Sequence, residues 1–150
     1  MAPPLLFSAG MTWIDLAAID PLTSRIIGCG VEVHRRLGPG LLESVYHVCV
    51  AFELRNAGLM VFENMRVPVS YKDLRFECAL KADFLVNDTV IVEIKSVTEI
   101  APVHEAQLLT YLRLTNRPVG LLMNFNVPIL KEGIRRRVNP GTTPSVPPSL

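Results

Sequence analysis

Residues 82–95 read Ala-Asp-Phe-Leu-Val-Asn-Asp-Thr-Val-Ile-Val-Glu-Ile-Lys. Two apolar runs flank a polar turn signal at residues 87–88, which predicts two antiparallel strands joined by a short loop. Successive side chains of a strand point to opposite faces, so Glu93 and Lys95 share one face while Ile94 packs against the other. The stretch therefore predicts a hairpin whose second strand ends in two charged side chains on one face.

The length of the loop decides whether Asp83 and Glu93 meet. A two-residue loop would pair Asp83 with Val92 and turn Glu93 away from it. A three-residue loop, residues 87–89, brings Asp83 directly opposite Glu93 on one face, because a shift of one residue exchanges the faces. Two carboxylates that close repel each other unless a proton or a cation lies between them. We therefore expect the three-residue loop or an equivalent bulge, and a cation such as Mg²⁺ or Mn²⁺. A plain structural Glu/Lys pair is the alternative.

Helices and strands surround this hairpin in the order ααβββ(β)αβ, which predicts an α/β fold with a central mixed sheet flanked by helices. Helices are predicted at residues 21–37, 41–57 and 102–114, and strands at 61–62, 66–71, 75–86, 90–95, 119–125 and 134–138. The apolar stripe of the second helix is predicted at Leu42, Val45, Cys49 and Phe52. Residues 1–20 are expected to form an N-terminal arm, 21–138 the domain, and 139–150 a disordered tail.

Composition describes one globular domain. The chain has 150 residues, 49% of them hydrophobic and 19% charged, which is enough to bury a core. Apolar stretches are too short to cross a bilayer and the first residues lack a secretory pattern, so the prediction is no membrane partner and a cytoplasmic location. Three unclustered cysteines suggest reduced thiols. A formal net charge of +1 weakens a nucleic-acid hypothesis, because duplex binders usually carry a basic excess.

A family resemblance rests on several motifs taken together. Asp83 and Glu93-Ile94-Lys95 are followed by Gln107 and Tyr111 on the next predicted helix, and this pattern resembles the PD-(D/E)XK nuclease superfamily. The stretch from Gly40 to Tyr46, Gly-Leu-Leu-Glu-Ser-Val-Tyr, is similar to the signature of the small GxxExxY family within it. The similarity covers about residues 26–138. The usual Pro before the Asp is replaced by Ala82.

This resemblance implies a restriction-endonuclease-like core and a Mg²⁺- or Mn²⁺-dependent nuclease that hydrolyses phosphodiester bonds of nucleic acid, DNA in particular. Asp83, Glu93 and the backbone carbonyl of Ile94 would hold the metal. Lys95 would orient the attacking water and stabilise charge on the phosphate. Glu43 would hold a metal-bound water or Lys95, and Gln107 and Tyr111 would bind a phosphate or brace the metal ligands.

Other interpretations of these residues remain open. Glu43 and Tyr46 could be a first-turn carboxylate and a partly buried tyrosine. Gln107 and Tyr111 could be a hydrogen-bonding pair that fixes a helix on the sheet. None of the three histidines is expected to bind a ligand, and the run at residues 135–137 is interpreted as a solvated strand edge. Alternatives to a nuclease are a non-catalytic nucleic-acid or protein interaction module and a hydrolase or synthase acting on a small metabolite. A homodimer or partner protein could supply the substrate-binding surface that a small, nearly neutral chain lacks.

Overall fold

The computed structural model describes residues 13–14, 16–141 and 143–144 of the chain. The helices of these residues are α1 (Leu16–Leu37), α2 (Glu43–Asn56) and α3 (Pro102–Thr115). The strands are β1 (Trp13–Ile14), β2 (Val61–Tyr71), β3 (Leu74–Val86), β4 (Val90–Lys95), β5 (Val119–Asn124), β6 (Ile134–Val138) and β7 (Thr143–Pro144), and a short 3-10 turn spans Leu130–Gly133.

Five of these strands form one mixed sheet in the order β2-β3-β4-β5-β6. Neighbours are antiparallel except β4 and β5, which are parallel. A parallel pair requires a crossover connection, and α3 provides it. All residues of β5 are buried, as expected for a central strand covered on both faces. The predicted α/β fold with a mixed sheet flanked by helices is confirmed.

Helices cover both faces of this sheet. On one face, α1 and α2 pack onto alternate residues of the central strands; the fully buried members include Ile26, Tyr46, Leu54, Phe84, Val92 and Leu121. On the other face, α3 packs onto the intervening residues; this group includes Leu85, Ile91, Leu108, Leu112 and Leu122. The carboxyl end of β4 therefore lies between α2 on one side and α3 on the other.

Helix α1 begins before residue 21, where the domain was predicted to start. Helix α1 starts at Leu16 and continues through Pro21, whereas the arm was expected to extend to residue 20. Ile19 is only 3% exposed and belongs to the core, and Leu16 packs against it. Apolar residues spaced three apart extend the buried stripe of α1 beyond the proline, so residues 16–20 belong to the domain. The rest of the predicted arm, apart from β1, lies outside the described residues.

The predicted apolar stripe of α2 is wrong. Leu42 is 74% exposed and Phe52 is 62% exposed. The buried residues of α2 are instead Tyr46, Val50, Ala51 and Leu54. The residues of each set are spaced so that they lie on one face of a helix. The core buries the face that includes Tyr46.

The predicted tail also begins too early. Asn139 is 2% exposed, and its side-chain amide donates to the carbonyl oxygens of Leu112 (3.0 Å) and Arg117 (2.9 Å). Strand β7 pairs in parallel with β1. Residues 142 and 145–150, where disorder was also predicted, lie outside the described part of the chain.

Candidate active site

Strands β3 and β4 separate where the acidic residues lie. Their pairing runs from Val86–Val90 at the turn to Phe84–Val92 and stops there. This register encloses residues 87–89 in the loop and, extended by one residue, places Asp83 opposite Glu93. The predicted three-residue loop is confirmed. Asn87 and Asp88 both have positive φ, 49° and 53°, a conformation that Asn and Asp tolerate better than other non-glycine residues.

Where β3 and β4 stop pairing, the two carboxylates accept hydrogen bonds from backbone N–H groups of the opposite strand. The Asp83 N–H donates to Glu93 Oε1 at 2.9 Å, and the Ile94 N–H donates to Asp83 Oδ2 at 2.8 Å. Each side chain therefore holds the backbone of the other strand. This reciprocal arrangement fixes both carboxyl groups at one point of the sheet.

The β2–β3 hairpin changes face at the same point. Glu63 contacts α2, and its partner Phe84 belongs to the core under α1 and α2. Two residues further along β2, Met65 and its partner Ala82 pack with the α3 side instead. In a regular strand, residues two apart share a face. Between them Asn64 has φ 53°, and this left-handed residue in mid-strand reverses the faces beside Asp83.

Helix α2 provides the wall opposite the acids. Glu43 stands in its first turn, and Glu43 Oε1 accepts the Ser96 N–H at 3.4 Å. His47 lies one turn later, with Nε2 at 3.0 Å from Glu63 Oε1 and Nδ1 at 3.7 Å from Asp83 Oδ1. A cleft of about 350 Å³ lies between these elements; its lining consists of Glu43, Ser44, His47, Val48, Asn64, Asp83 and Ile94.

His47 is the site residue that sequence reasoning missed. Three histidines scattered along the chain gave no cluster, so none was assigned to the site. A signal was available, because residues four apart in a helix lie on one face, and His47 follows Glu43 by four.

Tyr46 supports the site without lining it. It is fully buried and stacks on Phe125 with ring centroids 4.5 Å apart. Its hydroxyl donates to the Gly38 carbonyl at 2.5 Å and accepts the Leu41 N–H at 3.1 Å. Gly40, between these two residues, has φ 97°, which favours glycine. Tyr46 thus holds the loop that leads into α2 and so positions Glu43.

We call the point where β3 and β4 separate and Asp83 and Glu93 meet the fork. The remaining predicted residues lie on its α3 side. Lys95 ends β4, and its positive charge acts on both Asp83 and Glu93. The Tyr111 hydroxyl donates to the Lys81 carbonyl at 3.1 Å. Burial, followed by the negative charge of Glu93, raises the pKa of Tyr111 to about 12. Gln107 is half-buried one turn before Tyr111 and is not part of the cleft lining.

The surroundings of Asp83 and Glu93 favour the protonated form of both carboxyl groups. Glu93 is 4% exposed, and burial, together with the nearby Asp83, raises its pKa to about 8. Burial also raises the pKa of Asp83, although the Ile94 N–H and the charges of His47 and Lys95 oppose the shift. Within the residues that the structure describes, neither acid forms an ion pair with a lysine or arginine. The charges of Lys95 and His47 therefore offset the burial of the two acids only in part.

The donor set fits a hard divalent cation. Mg²⁺ keeps several waters and usually takes only one or two protein carboxylates. In the described residues, no group of three or more His, Cys, Asp or Glu side chains is arranged to hold a metal, so the carboxylate pair would be supplemented by backbone oxygen and water. The two adjacent carboxylates ionise unfavourably and lie next to an open cleft. They are therefore oxygen ligands of the kind that Mg²⁺ prefers.

Two arginines of the edge strand β6, and Arg117 before β5, pair with acids. Arg136 pairs with Asp20 at 2.7 Å, Arg117 pairs with Asp88 at 2.6 Å, and Arg137 pairs with Glu105. Arg135 donates instead to the carbonyl oxygens of Glu132 and Ile134, both at 3.0 Å.

An acidic pair and a lysine at the open end of a mixed sheet define a class of protein: an α/β domain of the nuclease type. The model of the PD-(D/E)XK nuclease superfamily matches residues 20–137. The chain therefore belongs to the PD-(D/E)XK nuclease superfamily, and its core is restriction-endonuclease-like. No curated protein and no solved structure matches the chain. In the described residues, no helix combines the length and apolar character that a membrane span requires.

Proposed function

We propose that the protein is a metal-dependent nuclease that hydrolyses phosphodiester bonds of nucleic acids. The observation that carries this proposal is the fork, where Asp83 and Glu93 meet with raised pKa values; Asp83 lines the open cleft and Glu93 is buried behind it. Perturbed carboxyl groups in a cleft are typical of functional sites. In a purely structural pair the charge would be expected to be offset by protein cations, whereas His47 and Lys95 leave both pKa values raised.

Asp83 and Glu93 would hold Mg²⁺ or Mn²⁺ together with the backbone carbonyl of Ile94. The N–H and C=O of one strand residue point to the same side. Since the Ile94 N–H faces Asp83, its carbonyl faces the fork as well. When bound, the metal would act as a Lewis acid and lower the pKa of a bound water.

The other residues would act around this centre. The Lys95 ammonium would stabilise the charge that develops on the phosphate and orient the attacking water. Glu43, anchored to the Ser96 N–H, would orient water or Lys95 from the α2 side. Tyr111 would act through the backbone of Lys81 and so brace β3, with Gln107 bracing the metal ligands or binding a phosphate from the same helix.

Several finer assignments belong to this proposal. Membership of the GxxExxY family is supported by Gly40, Glu43 and Tyr46, whose glycine turn, site carboxylate and loop clamp give each motif position a physical role. DNA as substrate, Mg²⁺ or Mn²⁺ as the ion, a cytoplasmic location, and a homodimer or partner protein stay predictions.

Activity assays on the purified chain test the proposal. We expect hydrolysis of labelled oligonucleotides with Mn²⁺ or Mg²⁺, and a loss of about 100-fold or more in Lys95→Gln. Asp83→Asn should abolish hydrolysis and weaken Mn²⁺ binding in calorimetry, while remaining folded because it removes like-charge repulsion. Asp88→Asn, the same change in an exposed turn outside the cleft lining, is the matched control and should behave as wild type.

The outcome separates enzyme from interaction module. Binding of oligonucleotides without metal-stimulated hydrolysis would refute the nuclease and support the non-catalytic alternative. Hydrolysis that survives Asp83→Asn and Lys95→Gln would show that the activity does not come from this site.

A further inference from the structure

The β2–β3 hairpin continues beyond the sheet as a two-stranded arm. Strand β4 pairs with β3 only over Phe84–Val86, whereas β2 stays paired with β3 as far as Tyr71 and Leu74. We define the arm as residues 66–81. It begins two residues beyond Asn64 and Asp83, which lie between the Glu63–Phe84 and Met65–Ala82 pairs, and therefore projects from the candidate active site.

The tip of the arm exposes one apolar and aromatic face. Val69 pairs with Phe76 and Tyr71 pairs with Leu74, and cross-strand partners two residues apart share a face. Tyr71 is 60% exposed, Leu74 is 58% and Phe76 is 49%. The Lys72 ammonium lies 5.4 Å from the centroid of the Tyr71 ring. An exposed apolar patch of this kind, next to a cation, marks an interaction surface.

The arm also concentrates positive charge. It carries four Lys or Arg and two Asp or Glu, a net charge of +2, while the rest of the chain has a net charge of −1. At its base, exposed Arg66 lies directly opposite exposed Lys81. This basic rung is two residues from Asn64 and Asp83, about 7 Å along the strand.

We propose that the arm binds single-stranded nucleic acid and leads it to the fork. This inference rests on the proposed function, because it names the form of substrate that the site would receive. Arg66 and Lys81 contact a backbone phosphate next to the carboxylates. Tyr71 and Phe76 stack on unpaired bases further out. Cations combined with exposed aromatic rings are the usual elements of single-strand binding.

Two observations favour this ligand over the other candidates. Aromatic rings stack most readily on unpaired bases, since a duplex must first be unstacked, which favours a single strand over a duplex. A basic arm on a chain that is otherwise slightly acidic complements a polyanion, which favours nucleic acid over an apolar protein surface.

Binding of a fluorescein-labelled 20-nucleotide single strand, measured by anisotropy with a chelator present, tests the arm without any chemistry. The double variant Tyr71→Ser/Lys81→Gln removes one stacking ring and one cation. Its matched control, Ile129→Ser/Lys131→Gln, removes an exposed apolar residue and an exposed lysine far along the chain from the arm. Circular dichroism confirms that both variants are folded.

We expect the arm variant to bind roughly tenfold or more weakly. The slope of log affinity against log salt should fall by about 0.7 for the phosphate contact removed. The control should bind within about twofold of wild type. Equal binding by the arm variant and wild type, equal losses in both double variants, tighter wild-type binding to duplex than to single strand, or no binding by wild type would each overturn the inference.

Failure of the arm and failure of the proposed function give different results. If wild type cleaves with Mn²⁺ and the arm variant binds as wild type does, the arm is refuted and the nuclease stands. If binding depends on the arm but no hydrolysis occurs, the nuclease is refuted and the arm stands.

Discussion

Replacing Asn64 tests whether a left-handed residue in mid-strand builds the acidic fork. Asn64 has φ 53° and lies between two rungs of the hairpin whose side chains face opposite sides of the sheet. The reversal accompanies the turn of the Asp83 N–H toward Glu93 Oε1. Asn64→Val introduces a β-branched residue that strongly prefers extended backbone. Asn64→Gly permits the observed conformation without strain.

The magnitude follows from the backbone. A left-handed conformation costs an L-residue about 1–2 kcal/mol, and asparagine tolerates it better than valine does. If the backbone keeps its shape, Asn64→Val should lower the free energy of unfolding by about 1–2 kcal/mol. If the strand relaxes instead, the Asp83 N–H turns away from Glu93 and the carboxylates separate. Mn²⁺ affinity should then fall about tenfold or more, equivalent to about 1.4 kcal/mol of binding free energy. Asn64→Gly should retain affinity within a few-fold.

Urea denaturation and Mn²⁺ calorimetry on the same proteins measure the two effects. Ser70→Val is the control, because Ser70 is exposed on the same strand in a region where valine suits the extended backbone; it should be neutral or stabilising. The reasoning is refuted if Asn64→Val unfolds at the same urea concentration as wild type and binds Mn²⁺ equally well.

Three further predictions concern charge and buried hydrogen bonds. Because the folded-state pKa of Glu93 is raised from 4.5 to about 8, the unfolded chain loses this proton first. Without metal, the free energy of unfolding should therefore fall as the pH rises from 4.5 to about 8, by up to about 1.4 kcal/mol per pH unit. Urea denaturation of Glu93→Gln at several pH values should lack this fall; an equal slope in wild type and variant would contradict the assignment to Glu93. Tyr46→Phe should cost about 0.5–1.5 kcal/mol in urea denaturation, since the Gly38 carbonyl and the Leu41 N–H lose their partner while the ring stack remains; an unchanged midpoint would count against the loop clamp. Asn139→Asp should lower the melting temperature strongly, because it replaces a buried donor to two carbonyls with a carboxyl group; a neutral effect would show that Asn139 is not anchored there.

The sequence predicted how Asp83 and Glu93 are arranged more completely than it predicted which residues surround them. Alternation along β4 placed Glu93 and Ile94 on opposite faces, and the repulsion between neighbouring carboxylates favoured the loop length that the structure has. These are short-range properties, because strand periodicity and turn length depend on adjacent residues alone. The motif order also predicted the fold class and the superfamily.

Only the tertiary structure decided which side chains complete the site. Two stripes of α2 had helical spacing, and the core under the sheet accepted the one with Tyr46, so Phe52 is exposed and His47 faces Asp83. The left-handed Asn64 and the early start of α1 likewise depend on packing partners distant in the chain. Local pattern fixes the period of an element, but the face that becomes buried, and therefore the groups brought to the acids, depends on long-range contacts that one segment does not encode.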